Sequence, residues 1–270
     1  MPFARLLDRS LLLVKGETAV AFLQNLVTSD VEAIGEHEVR PSALLTPQGK
    51  ILFDFLLGRI DGGIRIDVAS IARADLLKRL TLYRLRAPIA FETPDVAVFA
   101  AWGESVGLTD QRFVEGTVSR SYGDAPAGVE ERPEAEFDAL RIRAGIAEAE
   151  RDFPASDVFP HDVLLDPNSG VAFKKGCYVG QEVVSRMKHR GTARRRPVLV
   201  LGAVAATGTP VLAGGREAGT IGQVVDGSAV AVLRLDRITD PAAVTVDGRP
   251  VTVTLPAWAT YQFGETTPDE

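Results

Sequence analysis

The sequence is poor in the residues that form disulfides and metal sites. Its 270 residues include one cysteine and three histidines. A single cysteine cannot close an internal disulfide, and it cannot supply the several thiolates of a cysteine-rich zinc site or a self-contained iron–sulfur cluster. His37, His161 and His189 are scattered along the chain, which argues against a metal site made by one local motif. A chain of this length can fold around a hydrophobic core without such links.

Long apolar runs and an apparent leader are also missing. The most continuous apolar stretch, residues 198–214, is interrupted by Gly202, Gly208 and Pro210, and we do not expect it to span a membrane. The first apolar run is short and no cleavage-site pattern follows it, so we expect no targeting segment. Together with the cysteine usage, this predicts a cytoplasmic protein. The net charge of −6 argues against a protein that coats nucleic acid.

Hydrophobic periodicity predicts an α+β fold in three parts. Residues 1–94 form an N-terminal α+β subdomain, and residues 95–194 form a second one that contains the irregular segment 151–173. Residues 195–270 hold short β-type runs between Gly, Asp and Pro turns, which is typical of a small β-barrel. The last residues, 264–270, are expected to fray.

Within the first part, strands are predicted where apolar runs lie between turn residues. They cover residues 11–14, 42–45, 51–57 and 64–68. Helical spacing predicts one helix after Gly16 and a second in the segment IARADLLKRLTLYRL. Ser70 is expected to cap the second helix.

One basic segment stands out in this acidic chain. Residues 174–196 contain eight Lys or Arg side chains against the single acid Glu182, a net charge of +7 that leaves −13 for the remainder. This pattern predicts either an anionic partner or a solvated charged hairpin. A nucleic-acid or other polyanion binder using residues 186–196 is a third function class, but the run lacks the interleaved aromatic residues that stack on bases.

The single cysteine lies inside the basic segment. In KKGCYVGQE, Lys175 precedes Cys177 by two residues, with Gly176 between them. A nearby cation favours the thiolate, which is the nucleophilic and metal-binding form, so Cys177 is a candidate reactive group with Lys175 beside it. The alternative is a cysteine that packs as a small hydrophobic residue. Gly176 and Gly180 would allow a ligand or partner to approach the backbone closely.

The segment KKGCYVGQE, followed by Arg186 and Arg190-Gly191, resembles the signature of the YgfZ-type folate-binding family. The segments VKGETAVAFLQNLVTSDV, ALLTPQGKILFDFLL, LRIRAGIAE and HDVLLDPNSGVAFKKG also resemble that family, so the likeness spans most of the first 197 residues. It implies a ring-like, multi-part fold with a central folate-sized hole and a C-terminal β-barrel. This fold is similar to that of the aminomethyltransferase (T-protein) of the glycine cleavage system.

The same resemblance implies a function. Family members act in the assembly or repair of iron–sulfur proteins with tetrahydrofolate, or a one-carbon derivative of it, as ligand. The implied partners are folate and iron–sulfur scaffold, carrier or client proteins, with no membrane and no nucleic acid. The thiol chemistry is assigned to Cys177 and Lys175, with no metal site within the chain. The residues assigned to cofactor binding are Phe137, Arg141, Lys175, Gly176, Tyr178, Gln181 and Glu182.

The chemistry of a reduced folate suits two residues on the preceding helix. Phe137 lies one turn before Arg141, so both could face one cavity. Phe137 is either a stacking platform for the pterin or part of the core. Arg141 could bind the glutamate carboxylate through its planar guanidinium, or it could form a surface salt bridge with Glu134, Glu136 or Asp138.

A folate-dependent aminomethyl or methyl transferase is the alternative function. Such an enzyme needs a carboxylate placed to manage proton transfer at the folate nitrogens. Asp30, Asp54 and Glu182 are available for that role, and nothing in their spacing selects one of them. The sequence does not decide between an accessory factor and an enzyme.

Overall fold

The computed structural model describes residues 2–103, 107–113, 117–128, 130–190 and 194–264. The chain divides into two compact units. The first comprises Met1–Phe137 and Leu165–Gln181, and the second comprises Asp138–Leu164 and Glu182–Glu270. The predicted frayed end, apart from Gly264, and Gly191 of the basic motif lie outside the described residues.

The first unit is built on one mixed sheet of ten strands. The strands are β1 (Pro2–Arg5), β2 (Arg9–Lys15), β3 (Glu38–Leu45), β4 (Ile51–Ile60), β5 (Gly63–Ala69), β6 (Ala90–Glu92), β7 (Val98–Trp102), β8 (Leu108–Asp110), β9 (Val118–Tyr122) and β10 (Glu130–Glu131). Their order is β10-β1-β7-β9-β8-β3-β4-β5-β2-β6. Neighbours are antiparallel except for the pairs β1–β10 and β3–β8, which are parallel.

The described residues form four α-helices besides the strands. They are α1 (Ala19–Gln24), α2 (Ser70–Arg84), α3 (Glu134–Arg143) and α4 (Gln181–Arg190). Leu76 and Leu80 of α2 are fully buried in a core that includes Leu12, Val14 and Ile66 of the sheet. Removing this much apolar side-chain surface from water is the main force that holds α2 on the sheet. Helices α3 and α4 each begin in the first unit and end in the second.

The second unit contains a seven-stranded antiparallel sheet. Its strands are β11 (Arg195–Leu201), β12 (Pro210–Ala213), β13 (Arg216–Ile221), β14 (Ser228–Arg234), β15 (Val244–Val246), β16 (Arg249–Pro250) and β17 (Thr252–Thr254), in the order β16-β15-β12-β13-β14-β11-β17. Short 3-10 helices cover Pro160–Val163, Leu235–Arg237 and Pro241–Ala243. Alternate strand residues such as Val198, Val200 and Ala231 fill its core, which is the arrangement of a small, nearly closed barrel.

The local predictions are largely confirmed, with three differences. The predicted strands and α2 are present, but α1 stops at Gln24 and is only six residues long. Ser70 does not cap α2: it is the first helical residue, and its backbone N–H donates to the carbonyl of Asp8. The predicted boundary at residue 94 does not separate two sheets, because β7, β8 and β9 join the strands of residues 1–94 in one sheet. Among the described residues, no helix is both long enough and apolar enough to cross a membrane.

Candidate functional site

The cysteine lies on a loop of the first unit, residues 174–180, which we call the thiol loop. The chain that leads into it is fixed by Thr28, which is completely buried. The Thr28 hydroxyl donates to the Gly170 carbonyl at 2.6 Å and accepts the Ala43 N–H at 2.9 Å, and the Ala172 N–H donates to the Thr28 carbonyl. Thr28 therefore links the approach to the thiol loop to strand β3.

Lys175 anchors the thiol loop itself. Its ammonium donates to the carbonyls of Val27 and Ser29, both at 2.7 Å, and lies 5.1 Å from the ring centre of Tyr178. Burial lowers the pKa of Lys175 to about 8, against the opposing effect of Asp30 and Glu32. These hydrogen bonds tie the thiol loop to the backbone of residues 27–29, so Lys175 has a structural role, and its role in the thiol chemistry of Cys177 stays a prediction.

Tyr178 and Gly180 hold the other side of the thiol loop. The Tyr178 side chain is buried, and its hydroxyl has no hydrogen-bond partner among the described residues. Burial raises the pKa of Tyr178 to about 12. Gly180 has a φ of +79°, and a Cβ at this position would lie 2.7 Å from the Thr46 carbonyl oxygen and 3.0 Å from the Gly49 Cα. Gly180 thus lies directly on the turn between β3 and β4, where only glycine fits.

Cys177 and Gly176 lie between these anchors and are exposed. The thiol is free. A Cβ added at Gly176 would meet no atom within 4 Å, and the fold itself gives no reason for a glycine there. The alternative of a buried, packed cysteine is therefore wrong, and the reactivity of Cys177 stays a prediction. The backbone next to the thiol is open to a ligand or another protein.

The motif ends on the first turn of α4. Gln181 begins the helix and is half-buried, whereas Glu182 is exposed. Glu182 forms an ion pair with Arg186 one turn later, at 2.7 Å, which is a typical stabilising contact on a helix surface. The predicted ligand-binding roles of Gln181 and Glu182 stay predictions.

Phe137 belongs to a closed aromatic cluster of the first unit. Its ring centre lies 6.2 Å from those of Trp102 and Phe113, and the Arg120 guanidinium lies 5.1 Å above the ring. Only 2% of Phe137 is exposed. Phe137 is therefore part of the core, because its ring is buried and offers no face on which a pterin could stack.

Arg141 is completely buried within the second unit. It donates to Asp152 at 2.5 Å and to the Ile146 carbonyl at 2.6 Å, and its Nε lies 3.9 Å from carboxylate oxygens of Asp138 and Glu148. The predicted surface salt bridge is wrong, since the pairs are internal. The carboxylates that neutralise Arg141 come from this chain, and no part of its side chain is exposed to a ligand.

Sequence reasoning missed a second buried ionic network, which lies in the first unit. Arg120 on β9 is completely buried, and its Nε donates to Asp110 at 3.2 Å, while Nη1 lies 3.8 Å from Asp67. Both Nη atoms lack a hydrogen-bond partner within the described part of the chain. Burial raises the pKa of Asp110, but Arg112 and Arg120 outweigh it and hold the pKa below its ordinary value. The sequence signal for this network was Arg120 itself, a charged residue within the strand-forming segment 118–122.

The remaining candidates are occupied by local contacts. Asp30 accepts hydrogen bonds from Gln24 and from the backbone of Glu32, as a turn-forming aspartate does. Arg195, in the basic segment, pairs with Asp157 and Asp162 at 2.8 and 3.0 Å. Part of the basic charge is therefore neutralised internally, which weakens the nucleic-acid interpretation. No group of three or more His, Cys, Asp and Glu side chains among the described residues could hold a metal ion.

Comparison with known proteins gives a consistent set of likenesses. The family model for the CAF17 C-terminal β-barrel domain matches residues 193–261. The mitochondrial iron–sulfur cluster assembly factor IBA57 homolog of Mycosarcoma maydis is 29% identical over 72% of this chain and 56% of its own length. The mouse mitochondrial factor IBA57 is 29% identical over 94% of this chain and 84% of its own length. The first three fungal relatives are matched over only about half of their own length, at 52 to 56%.

A solved structure shares the fold. The glycine cleavage system aminomethyltransferase T from Bartonella henselae superimposes with a TM-score of 0.74, at 15% identity, over 95% of this chain and 85% of its own. The predicted aminomethyltransferase-like α+β fold with a C-terminal barrel is confirmed. The predicted cytoplasmic location is wrong: the relatives are described as mitochondrial and point to the mitochondrion.

Proposed function

We propose that the chain is a member of the YgfZ/IBA57-type family, that it acts in iron–sulfur cluster assembly, and that it does so through Cys177; its likeness to IBA57 relatives and to the CAF17 C-terminal barrel supports this. The observation that carries the proposal is the thiol loop. An exposed cysteine lies between two anchored residues, Lys175 and Tyr178, next to a glycine with open space around it. A loop fixed on both sides presents its thiol at low entropic cost, because little ordering remains to be done on binding.

The chemistry limits what one thiol can do. A thiolate is a ligand for iron, but a cluster requires several, and Cys177 is the only cysteine of the chain. The other ligands of a transferred cluster therefore come from the partner protein or from a small thiol. In this scheme Cys177 contributes one bond to a cluster that is cargo, and Gly176 lets the partner backbone approach that bond.

Replacing Cys177 by serine in cells that lack their own copy of the protein tests this role. Serine keeps the size and exposure of the side chain but removes the thiolate, so the activities of [4Fe–4S] enzymes are expected to fall to the level of cells without the protein. The purified variant should unfold at the wild-type temperature, because an exposed side chain contributes little to stability. Recovery of wild-type enzyme activities by Cys177→Ser would rule out the thiol role.

Tetrahydrofolate binding is a separate proposal, which rests on family membership. Phe137 and Arg141 do not take part in it, and the residues left for it are the exposed or half-buried ones of the motif, such as Gln181 and Glu182. In a calorimetric titration with tetrahydrofolate, the wild type is expected to bind, and Gln181→Ala about tenfold more weakly, which is the effect of one lost hydrogen bond. Arg132→Gln, at an exposed arginine of the first unit, is the matched control and should bind as the wild type does. Absence of binding by the wild type would contradict the folate proposal and leave the Cys177 proposal standing.

A further inference from the structure

The outer face of helix α2 carries apolar and basic side chains that the fold does not use. Ile71 and Leu82, three turns apart, are 77 and 63% exposed, and Leu85, which follows the helix, is 86% exposed. Ile71 and Leu85 are the two most exposed large hydrophobic side chains of the described residues. The inner face of α2 is already satisfied by Leu76 and Leu80 in the core. The outer apolar residues therefore contribute little to folding.

The segment that carries this face is strongly basic, although Arg73 is half-buried and does not belong to the outer face. The cations of residues 70–86 are Arg73, Lys78, Arg79, Arg84 and Arg86, and they face the single acid Asp75, so the segment has a net charge of +4 and the rest of the chain −10. No ion pair involving these five cations is formed within the described part of the chain. Two exposed arginines elsewhere show the alternative, since Arg132 pairs with Glu130 and Glu136, and Arg186 pairs with Glu182. A group of unpaired cations on one short segment of an acidic protein suits an external anion.

We propose that the outer face of α2 is a docking surface for an acidic amphipathic segment of another protein. Apolar side chains of that segment would cover Ile71, Leu82 and Leu85, and its carboxylates would pair with the cations at the edges of the stripe. This is the helix-in-groove type of recognition, in which apolar contacts supply affinity and charges set orientation and on-rate.

The order of the side chains along the outer face of α2 favours a protein segment over a membrane or a nucleic acid as the occupant. Read along the helix, the outermost positions are Ile71, Asp75, Lys78 and Leu82, so two charges lie between the apolar residues. A lipid interior would have to take up both charges, which is costly, whereas a protein partner can pair them. No aromatic side chain is fully exposed on this face, because Tyr83 is half-buried, and stacking of single-stranded bases has no platform here.

The test uses the full chain and a synthetic fluorescent peptide, an acidic amphipathic helix with a leucine stripe flanked by glutamates. Anisotropy should show binding that weakens as salt is raised. The variant Ile71→Gln/Leu82→Gln and the variant Lys78→Gln/Arg79→Gln are each expected to bind about tenfold or more weakly, while glutamine keeps the helix intact. Circular dichroism and thermal unfolding of both variants check that the fold is unchanged.

Matched controls and competing probes decide the outcome. Val204→Gln/Arg216→Gln changes an exposed apolar residue and an exposed cation of the second unit and should leave peptide binding as in the wild type. Equal loss in this control, or no peptide binding by the wild type, overturns the proposal. It is also overturned if anionic phosphatidylglycerol vesicles or poly(U) RNA bind through these residues in place of the peptide. Self-association of the chain that the α2 variants abolish would overturn it as well, because the occupant is then a second copy.

Discussion

Replacing Gly180 by alanine is expected to release the thiol loop from the rest of the first unit. The variant should then fail to support [4Fe–4S] enzymes in cells, although Cys177 is intact. A non-glycine residue at a φ of +79° costs about 1–2 kcal/mol. The added Cβ would in addition lie 2.7 Å from the Thr46 carbonyl oxygen and 3.0 Å from the Gly49 Cα, which are backbone atoms of a tight turn and cannot easily move. Overpacking of this kind costs about 1–3 kcal/mol. Undocking of the loop is the cheapest way to relieve both effects.

Hydrogen exchange measures this release directly. The Ala172 N–H, which donates to Thr28, and the Gln181 N–H, which donates to Tyr178, should exchange faster in Gly180→Ala, and [4Fe–4S] enzyme activities should fall as in Cys177→Ser. Gly176→Ala is the matched control for stability, because a Cβ there meets no atom within 4 Å. We expect its exchange to equal that of the wild type. Wild-type exchange in Gly180→Ala would show that the turn between β3 and β4 does not hold the loop.

The parts of the fold that could be predicted are those whose pattern is local. Strands β2 to β5 follow from apolar runs between turn residues, and the inner face of α2 follows from the helical spacing of Leu76 and Leu80. Helix α1 is shorter than its periodicity predicts because tertiary contacts override it: Val27 forms a β-bridge with Leu44 and Thr28 bonds to Ala43. The chain leaves the helix in order to make those contacts.

The contacts of the candidate site could not be predicted, because they join residues far apart in sequence. Lys175 reaches the carbonyls of Val27 and Ser29 across 148 and 146 residues, and a backbone carbonyl carries no sequence signal. Helical spacing correctly indicated that Phe137 and Arg141 lie one turn apart, but it could not indicate what covers each of them. The sequence left open whether Cys177 is reactive or packed, and only the structure shows its exposure, because exposure depends on how the anchored loop is held.

Replacing Arg141 by methionine is expected to destabilise the second unit strongly. Methionine has a similar length and fills the space, but Asp152 remains buried without its nearest cation, and Asp138 and Glu148 keep only Arg151. Breaking a buried ion pair from one side costs about 3–5 kcal/mol. Urea denaturation should show this loss as a lower midpoint. Arg132→Met, at an arginine on the surface, serves as the control and should leave the midpoint nearly unchanged.

The pH dependence identifies the cause of that loss. Burial already raises the pKa of Asp138, with Arg151 and Arg141 opposing it, and removal of Arg141 should raise the pKa further. A carboxyl group whose pKa is higher in the folded than in the unfolded chain binds more protons when folded, so stability falls as pH rises through that range. Arg141→Met should therefore lose more stability relative to the wild type at about pH 7.5 than at about pH 5. A loss that is the same at both pH values would mean that lost packing, and not an unpaired buried charge, destabilises the variant.

Adding Asp152→Asn to Arg141→Met should restore part of the stability at the higher pH, because it removes the charge that Arg141 no longer neutralises.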